Sequence, residues 1–414
     1  MPIQGLDAPK FAVANCVASM ALMTMFLACP YALLAQTADA ATKTTFKVEV
    51  ISNGIFMPGY VNDSPKLDVA LDTGASVNML TPELAAELRL KSTASSKAGG
   101  IGKGEDQTLH LFEGVQLAWG PDKRVKLGDQ QVAALPIAYI GQQTGHPVDA
   151  IFGSSLFQHF LIRVDYEKGE VTFGSGGAMP ATGTSIPLTI NSGVPFVTAT
   201  LETASGEKVS ALFLVDSGLI GTMVLSRKFL EAHPAIAAGH PYVDMPSVKA
   251  VGGTIDIQAL RLTGLELGPF HFTSPIAAVP RDTTGVLAIP DLAGFIGAGI
   301  LSRFTVDWDY EHKTMSLTPN HRYAEPFDGD ASGLRLVAEG PDWKTIKVVA
   351  VTPGSPAAEA GLETGDVLQT IDGKAPPPLY EVTKLLTHPG SVVEMTVLHS
   401  GKQKAVTIHL RRLV

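Results

Sequence analysis

Cysteine is nearly missing from this chain. Its two cysteines, Cys16 and Cys29, both lie close to the N-terminus. The rest of the sequence therefore offers no disulfide, no cysteine nucleophile and no cysteine-ligated zinc site. Clustered Lys and Arg are missing too, and the formal net charge is -9, which excludes the basic surface that nucleic acid requires. His110, His159, His240 and His271 are scattered, without metal-ligand spacing. No Gly-x-Ser-x-Gly elbow occurs. The glycines from Gly99 to Gly104 lack the Gly-Lys-Ser/Thr ending of a phosphate loop. Neither metal nor cofactor is expected. Charged residues amount to only 17% against 45% hydrophobic, a globular composition, and a chain of 414 residues exceeds one ordinary core.

Long apolar runs are also rare, with one exception. After Lys10 the stretch from Phe11 to Leu34 is almost wholly apolar or small, and it leads to Ala38-Asp39-Ala40. This reads as an export signal over residues 1–40, cut after Ala40. The alternative is an uncleaved anchor, which would make the membrane a partner. Either way the expected location is outside the cytoplasm, in the periplasm or cell envelope.

The remaining chain repeats itself. IFGSSLFQHFLIRVDYEKGEVTF (151–173) aligns without a gap to FIGAGILSRFTVDWDYEHKTMSL (295–317), an offset of 144. The same offset joins Asp72-Thr73-Gly74 to Asp216-Ser217-Gly218. Two markers at one offset define two copies of one unit, about 44–180 and 181–320. Short β-branched runs separated by Gly, Pro, Asn and Asp turns make each copy mainly β. A helix is predicted after each Asp-x-Gly tripeptide, starting at Thr81-Pro82 and at Ser226. Asp165-Tyr166-Glu167 and Asp309-Tyr310-Glu311 precede closing strands and read as turns.

A duplicated Asp-(Thr/Ser)-Gly after an apolar strand is the main chemical signal. If two lobes pack about a pseudo-twofold axis, the repeated loops meet and Asp72 faces Asp216. Two adjacent carboxyls cannot both ionise, so they share a proton. One can then take a proton from water while the other donates to a carbonyl. Thr73 and Ser217 supply hydroxyls for bonds across the lobe interface, and Gly74 and Gly218 permit tight loops. After Gly218 the sequence departs from the first copy: Leu219 and Ile220 follow, one extra residue precedes Leu225, and Thr222 is the nearest hydroxyl.

Asp72-Thr73-Gly74-Ala75-Ser76 resembles the active-site motif of the aspartic peptidases, the pepsin and retropepsin group. Ile151-Phe152-Gly153 and Phe295-Ile296-Gly297 resemble its apolar-apolar-Gly element, and Gly99-Gly100-Ile101-Gly102 is similar to a retropepsin flap tip that would touch substrate. The resemblance, over roughly 46 to 318, implies a two-lobed β-barrel acid-protease fold, catalytic Asp72 and Asp216, and a peptide or protein substrate. Residues 330–414 change character. TIKVVAVTPGSPAAEAGLETGDVLQTIDG (345–373) resembles the PDZ domains of bacterial envelope proteases. That resemblance implies binding of extended or C-terminal peptides at a sheet edge, with Gly333 and Leu334 in the carboxylate loop. A PDZ domain that only packs against the lobes is the alternative. Three functions stay open from the sequence: an aspartic endopeptidase with a peptide-binding PDZ domain, a catalytically inactive peptide-binding protein that uses the peptidase groove and the PDZ domain, and a self-processing or regulatory protease with one narrow substrate.

Overall fold

The strand Leu161–Asp165 of the first copy pairs antiparallel with Phe304–Asp309 of the second. Its register is reciprocal under the offset of the repeat: Ile162 faces Trp308, Val164 faces Val306, and Arg163 faces its own counterpart Asp307. A local twofold therefore runs through the Arg163–Asp307 pair. These two strands are the centre of a six-stranded sheet to which both copies contribute. The computed structural model describes residues 43–98, 107–175, 179–250, 253–282 and 285–414. The expected export signal over 1–40 and the flap-tip residues Gly99, Gly100, Ile101 and Gly102 lie outside the described residues.

Each copy then builds its own larger sheet, of eight strands in the first and ten in the second. The wiring is the same. In the first copy Leu67–Leu71 runs parallel to Ala150–Phe152, which also pairs antiparallel with Asn78–Leu80. In the second, Lys208–Asp216 runs parallel to Leu292–Gly297, which also pairs antiparallel with Met223–Leu225. The two predicted helices are present as Pro82–Glu87 and Arg227–Ala232. Thr81 caps the first, its hydroxyl accepting the Leu84 N–H at 3.2 Å; Ser226 makes no such bond. A hairpin of Ala94–Ala98 and Gln107–Trp119 brackets the flap-tip position, and Tyr242–Ala250 with Gly253–Arg261 forms its counterpart.

The two copies share one apolar core. Trp119, Phe152, Phe157, Phe213, Phe304 and Trp308 are all buried within it. Phe157 stacks on Tyr310 at 5.4 Å between centroids and meets Trp308 edge-on at 5.9 Å, so aromatic contacts cross the repeat boundary. The turn reading of Asp165 and Asp309 holds: each carboxylate accepts a backbone N–H three residues on, from Lys168 and His312, at 2.9 Å.

Residues Leu334 to His409 form a separate five-stranded antiparallel sheet with its own core. Its last two strands, Val392–His399 and Lys402–His409, make the expected hairpin at Ser400-Gly401. The segment leading to it is fastened by Arg303. This buried guanidinium donates to the carbonyls of Arg322, Tyr323, Glu325 and Pro326 and lies 3.7 Å from the Phe327 ring centroid. Burial and then the nearby Arg322 charge, against the pull of Glu325, lower its pKa to about 10.

Candidate active site

Each aspartate sits at the end of a strand whose parallel neighbour holds it from behind. The Asp72 N–H donates to the Phe152 carbonyl at 3.0 Å, and Asp216 pairs with Gly297 in the equivalent ladder. The apolar-apolar-Gly elements singled out in the sequence are thus the strands directly behind the loops. Glycine is needed at Gly153 because a Cβ there would stand 2.2 Å from the Ala75 carbonyl oxygen.

The loops then interlock. The Thr73 N–H donates to Ser217 Oγ at 3.0 Å, and the Ser217 N–H donates to Thr73 Oγ1 at 2.9 Å. Each hydroxyl passes its own proton deeper into the opposite copy, Thr73 to the Val215 carbonyl at 2.8 Å and Ser217 to the Leu71 carbonyl at 3.2 Å. Both side chains are buried, so these four bonds are screened from water and fix one loop relative to the other. The sequence expected these hydroxyls at the interface, and they are there.

This interlock sets Asp72 against Asp216. A Cβ on Gly74 would lie 2.7 Å from Asp216 Cγ, and one on Gly218 would lie 2.5 Å from Asp72 Cγ. Each glycine therefore lets its backbone pass close to the partner's carboxylate. The Gly74 N–H donates to Asp72 Oδ1 at 2.7 Å, and the Gly218 and Leu219 N–H groups both donate to Asp216 Oδ1 at 2.9 Å. The two carboxyls are within hydrogen-bonding reach of each other. Burial raises the pKa of Asp72, against the pull of the amides. Burial and then the nearby Asp72 charge raise Asp216 well above the ordinary range. The pair titrates as one unit and shares the retained proton.

The second copy's extra residue is absorbed just after the dyad. Gly297, Ala298 and Gly299 donate their N–H groups to the carbonyls of Thr222, Leu219 and Gly221 at 2.9, 2.7 and 2.9 Å. Thr222 contributes a carbonyl here, not the hydroxyl that the sequence suggested. The amide of Leu219 supplies the bond to the aspartate instead.

Three features escaped the sequence reading. Arg163 Nη2 donates to Asp307 Oδ2 at 2.7 Å, and the Thr182 N–H adds a further bond of 2.7 Å to that buried carboxylate. The signal existed, since opposite charges occupy equivalent positions of the repeat on either side of its axis. The carbonyl cage of Arg303 left no such trace. Nor did Tyr139, on the helix Ala138–Thr144, whose phenol is desolvated and held protonated by both Asp72 and Asp216.

Residues 57–156 match the family model described as aspartyl protease, and residues 347–398 match that of the PDZ domain. A stretch of 70 residues is 37% identical to the chloroplastic C-terminal processing peptidase of Tetradesmus obliquus, covering 16% of this chain. The chain spans 15% of the length of that curated relative. Similar solved structures include an aspartic proteinase from Irpex lacteus, at 15% identity and a TM-score of 0.40, covering 69% of this chain and 99% of that one. Another is a retropepsin-like aspartic protease from Rickettsia conorii, at 18% identity and a TM-score of 0.23, covering 32% of this chain and 91% of that one. The chain thus combines an aspartyl-protease-like domain with a PDZ domain.

Proposed function

We propose that the protein is an aspartic endopeptidase working through the Asp72–Asp216 pair. The observation that carries this reading is the close approach of two desolvated carboxyls, each set against the other copy's glycine. In the proposed reaction a water between the carboxyls loses a proton to Asp72 as its oxygen attacks the scissile carbonyl carbon. Asp216 gives its proton to the carbonyl oxygen, so the tetrahedral intermediate forms as a neutral diol. Asp72 then passes its proton to the amide nitrogen, the C–N bond breaks as the diol collapses to the acid, and one diol hydroxyl returns its proton to Asp216. The PDZ fold brings a second peptide groove, and the expected location is the periplasm or another envelope space.

The test is digestion of casein or a peptide library by the wild type, Asp72→Asn and Asp216→Asn. Either substitution leaves one ionisable carboxyl where two must share a proton, so both should reduce cleavage to background with the fold intact. Near wild-type turnover in Asp216→Asn would rule out the dyad. A folded wild type that binds peptides without cleaving them would favour the binding-protein reading.

A further inference from the structure

A PDZ domain takes an extended peptide along a sheet edge and holds its terminal carboxylate on backbone amides. Both parts of that groove are already engaged within this chain. The amides of the loop assigned from the sequence are bonded locally: Ser332 and Gly333 donate to Asp330 Oδ1 and Oδ2 at 3.0 and 2.7 Å, and Leu334 donates to Ser332 Oγ at 3.0 Å. Asp330 supplies internally the carboxylate that a C-terminal ligand would bring. Gly333 and Leu334, which the resemblance places in the carboxylate loop, thus have partners for their N–H groups within the chain.

The sheet edge is covered as well. Leu334–Glu339 is an outer strand of the five-stranded sheet, and the helix Leu379–Leu385 lies beside it. The first copy's helix Ala138–Thr144 packs against both. Glycines allow the approach. A Cβ on Gly141 would stand 2.9 Å from the Trp343 ring, and one on Gly145, which ends the helix at φ +71°, would stand 2.7 Å from Leu379 Cβ. Tyr380 reaches in the opposite direction, onto the apolar group that contains Ile137, Ile151 and Ala75, the residue after the Asp72 loop glycine.

We propose that the PDZ domain holds the Ala138–Thr144 helix of its own chain as an internal ligand, and that this cis contact keeps the groove closed to other peptides. The captured helix is tied to the candidate active site. Ile140 of the helix packs against the apolar group that holds Ala75, beside the Asp72 loop, and Gln143 Nε2 donates to the Lys249 carbonyl at 2.9 Å, in the second copy's hairpin. Release of the helix would therefore loosen the surroundings of the dyad, a consequence that rests on the peptidase reading; the cis contact itself does not.

The probe is a labelled synthetic peptide of residues 136–147, titrated into the full chain by fluorescence anisotropy, once with a free C-terminus and once amidated. A tethered ligand competes at an effective concentration on the order of millimolar, so the wild type should bind the probe weakly. Gly141→Leu drives a side chain into Trp343, and Tyr380→Asp loosens the same contact from the PDZ surface without touching the helix. Each should tighten probe binding by about tenfold or more, because the competent fraction of the groove rises. Amidation should change affinity by less than about threefold, under 1 kcal/mol. The proposal fails if neither variant binds more tightly than wild type, if no form binds, or if the free acid binds more than about tenfold better than the amide. Binding is read directly, so failure here leaves the dyad untouched, and failure of the dyad leaves this result standing.

Discussion

After Gly74 the first copy's loop reaches its next strand in three residues, 75–77, whereas after Gly218 the second copy takes four, 219–222. Ala75 and Leu219 make the same bond, each carbonyl accepting the N–H of the residue after the supporting glycine, Ser154 at 2.9 Å and Ala298 at 2.7 Å. Beyond that point the copies diverge. The Gly153 N–H donates to the side chain of Asn78 at 3.0 Å, while the Gly297 N–H donates to the Thr222 backbone at 2.9 Å. Pairing then resumes one residue out of step, Met79 with Ile151 and Val224 with Phe295. The Asp-to-Gly segment is built to one plan because both copies must reach the same axis. The tail varies because it need not reach that axis, although Ile220 still meets the first copy, its carbonyl accepting Asn53 Nδ2 at 3.2 Å.

The most damaging way to probe the shared segment is to add one carbon. Gly74→Ala and Gly218→Ala each push a Cβ into the opposite carboxylate. Cleavage should fall by about a hundredfold or more, since displacement of reacting groups by about 1 Å costs that much. Gly218→Ala should be the worse of the two, its contact being 2.5 Å against 2.7 Å. Peptide turnover alongside circular dichroism decides the matter, and equal activity in Gly218→Ala and wild type would contradict the geometry.

A smaller effect should separate the two hydroxyls. Thr73→Val and Ser217→Ala each leave two buried backbone groups without a partner, at about 1–3 kcal/mol per unsatisfied group. The Thr73 bonds are the shorter set, 2.8 and 2.9 Å against 3.0 and 3.2 Å, so Thr73→Val should lower the denaturation midpoint further. The double variant should cost less than the sum, because the bonds form one network. Full additivity would mean that the loops do not act as a unit.

The smallest predicted difference concerns pH and stability. Asp216 is held well above its ordinary 3.8 in the folded protein. Such a carboxyl keeps its proton longer folded than unfolded. Its contribution to stability is complete below the unfolded pKa and is lost as pH rises through the folded one. Asp216→Asn removes that loss. The variant should melt at a higher temperature than wild type at pH 7, by a few degrees, and the two should converge near pH 3. Asp72→Asn should follow the same trend, since both carboxyls are raised and the pair titrates as one unit. A melting series across pH checks the sign; a variant less stable than wild type at pH 7 but not at pH 3 would reverse the assignment.

The repeat offset, the two Asp-x-Gly loops, the apolar strands behind them and the PDZ hairpin were legible because each is written in local chemistry. Alternation, turn residues and small residues act over a few positions, and an internal repeat shows them twice. Even the Arg163–Asp307 axis was readable in principle, as opposite charges at matched positions. Tyr139, the Arg303 cage, the self-bonded loop at Asp330 and the helix lodged against the PDZ edge were not. Arg303 donates to carbonyls that every residue possesses, and at Gly141 it is Trp343, far along the chain, that stands nearest to where a Cβ would go. Sequence determined which segments become strands and loops. Only tertiary packing decided what each loop faces, because a close approach between distant segments depends on the whole sheet topology and leaves no pattern in either segment alone.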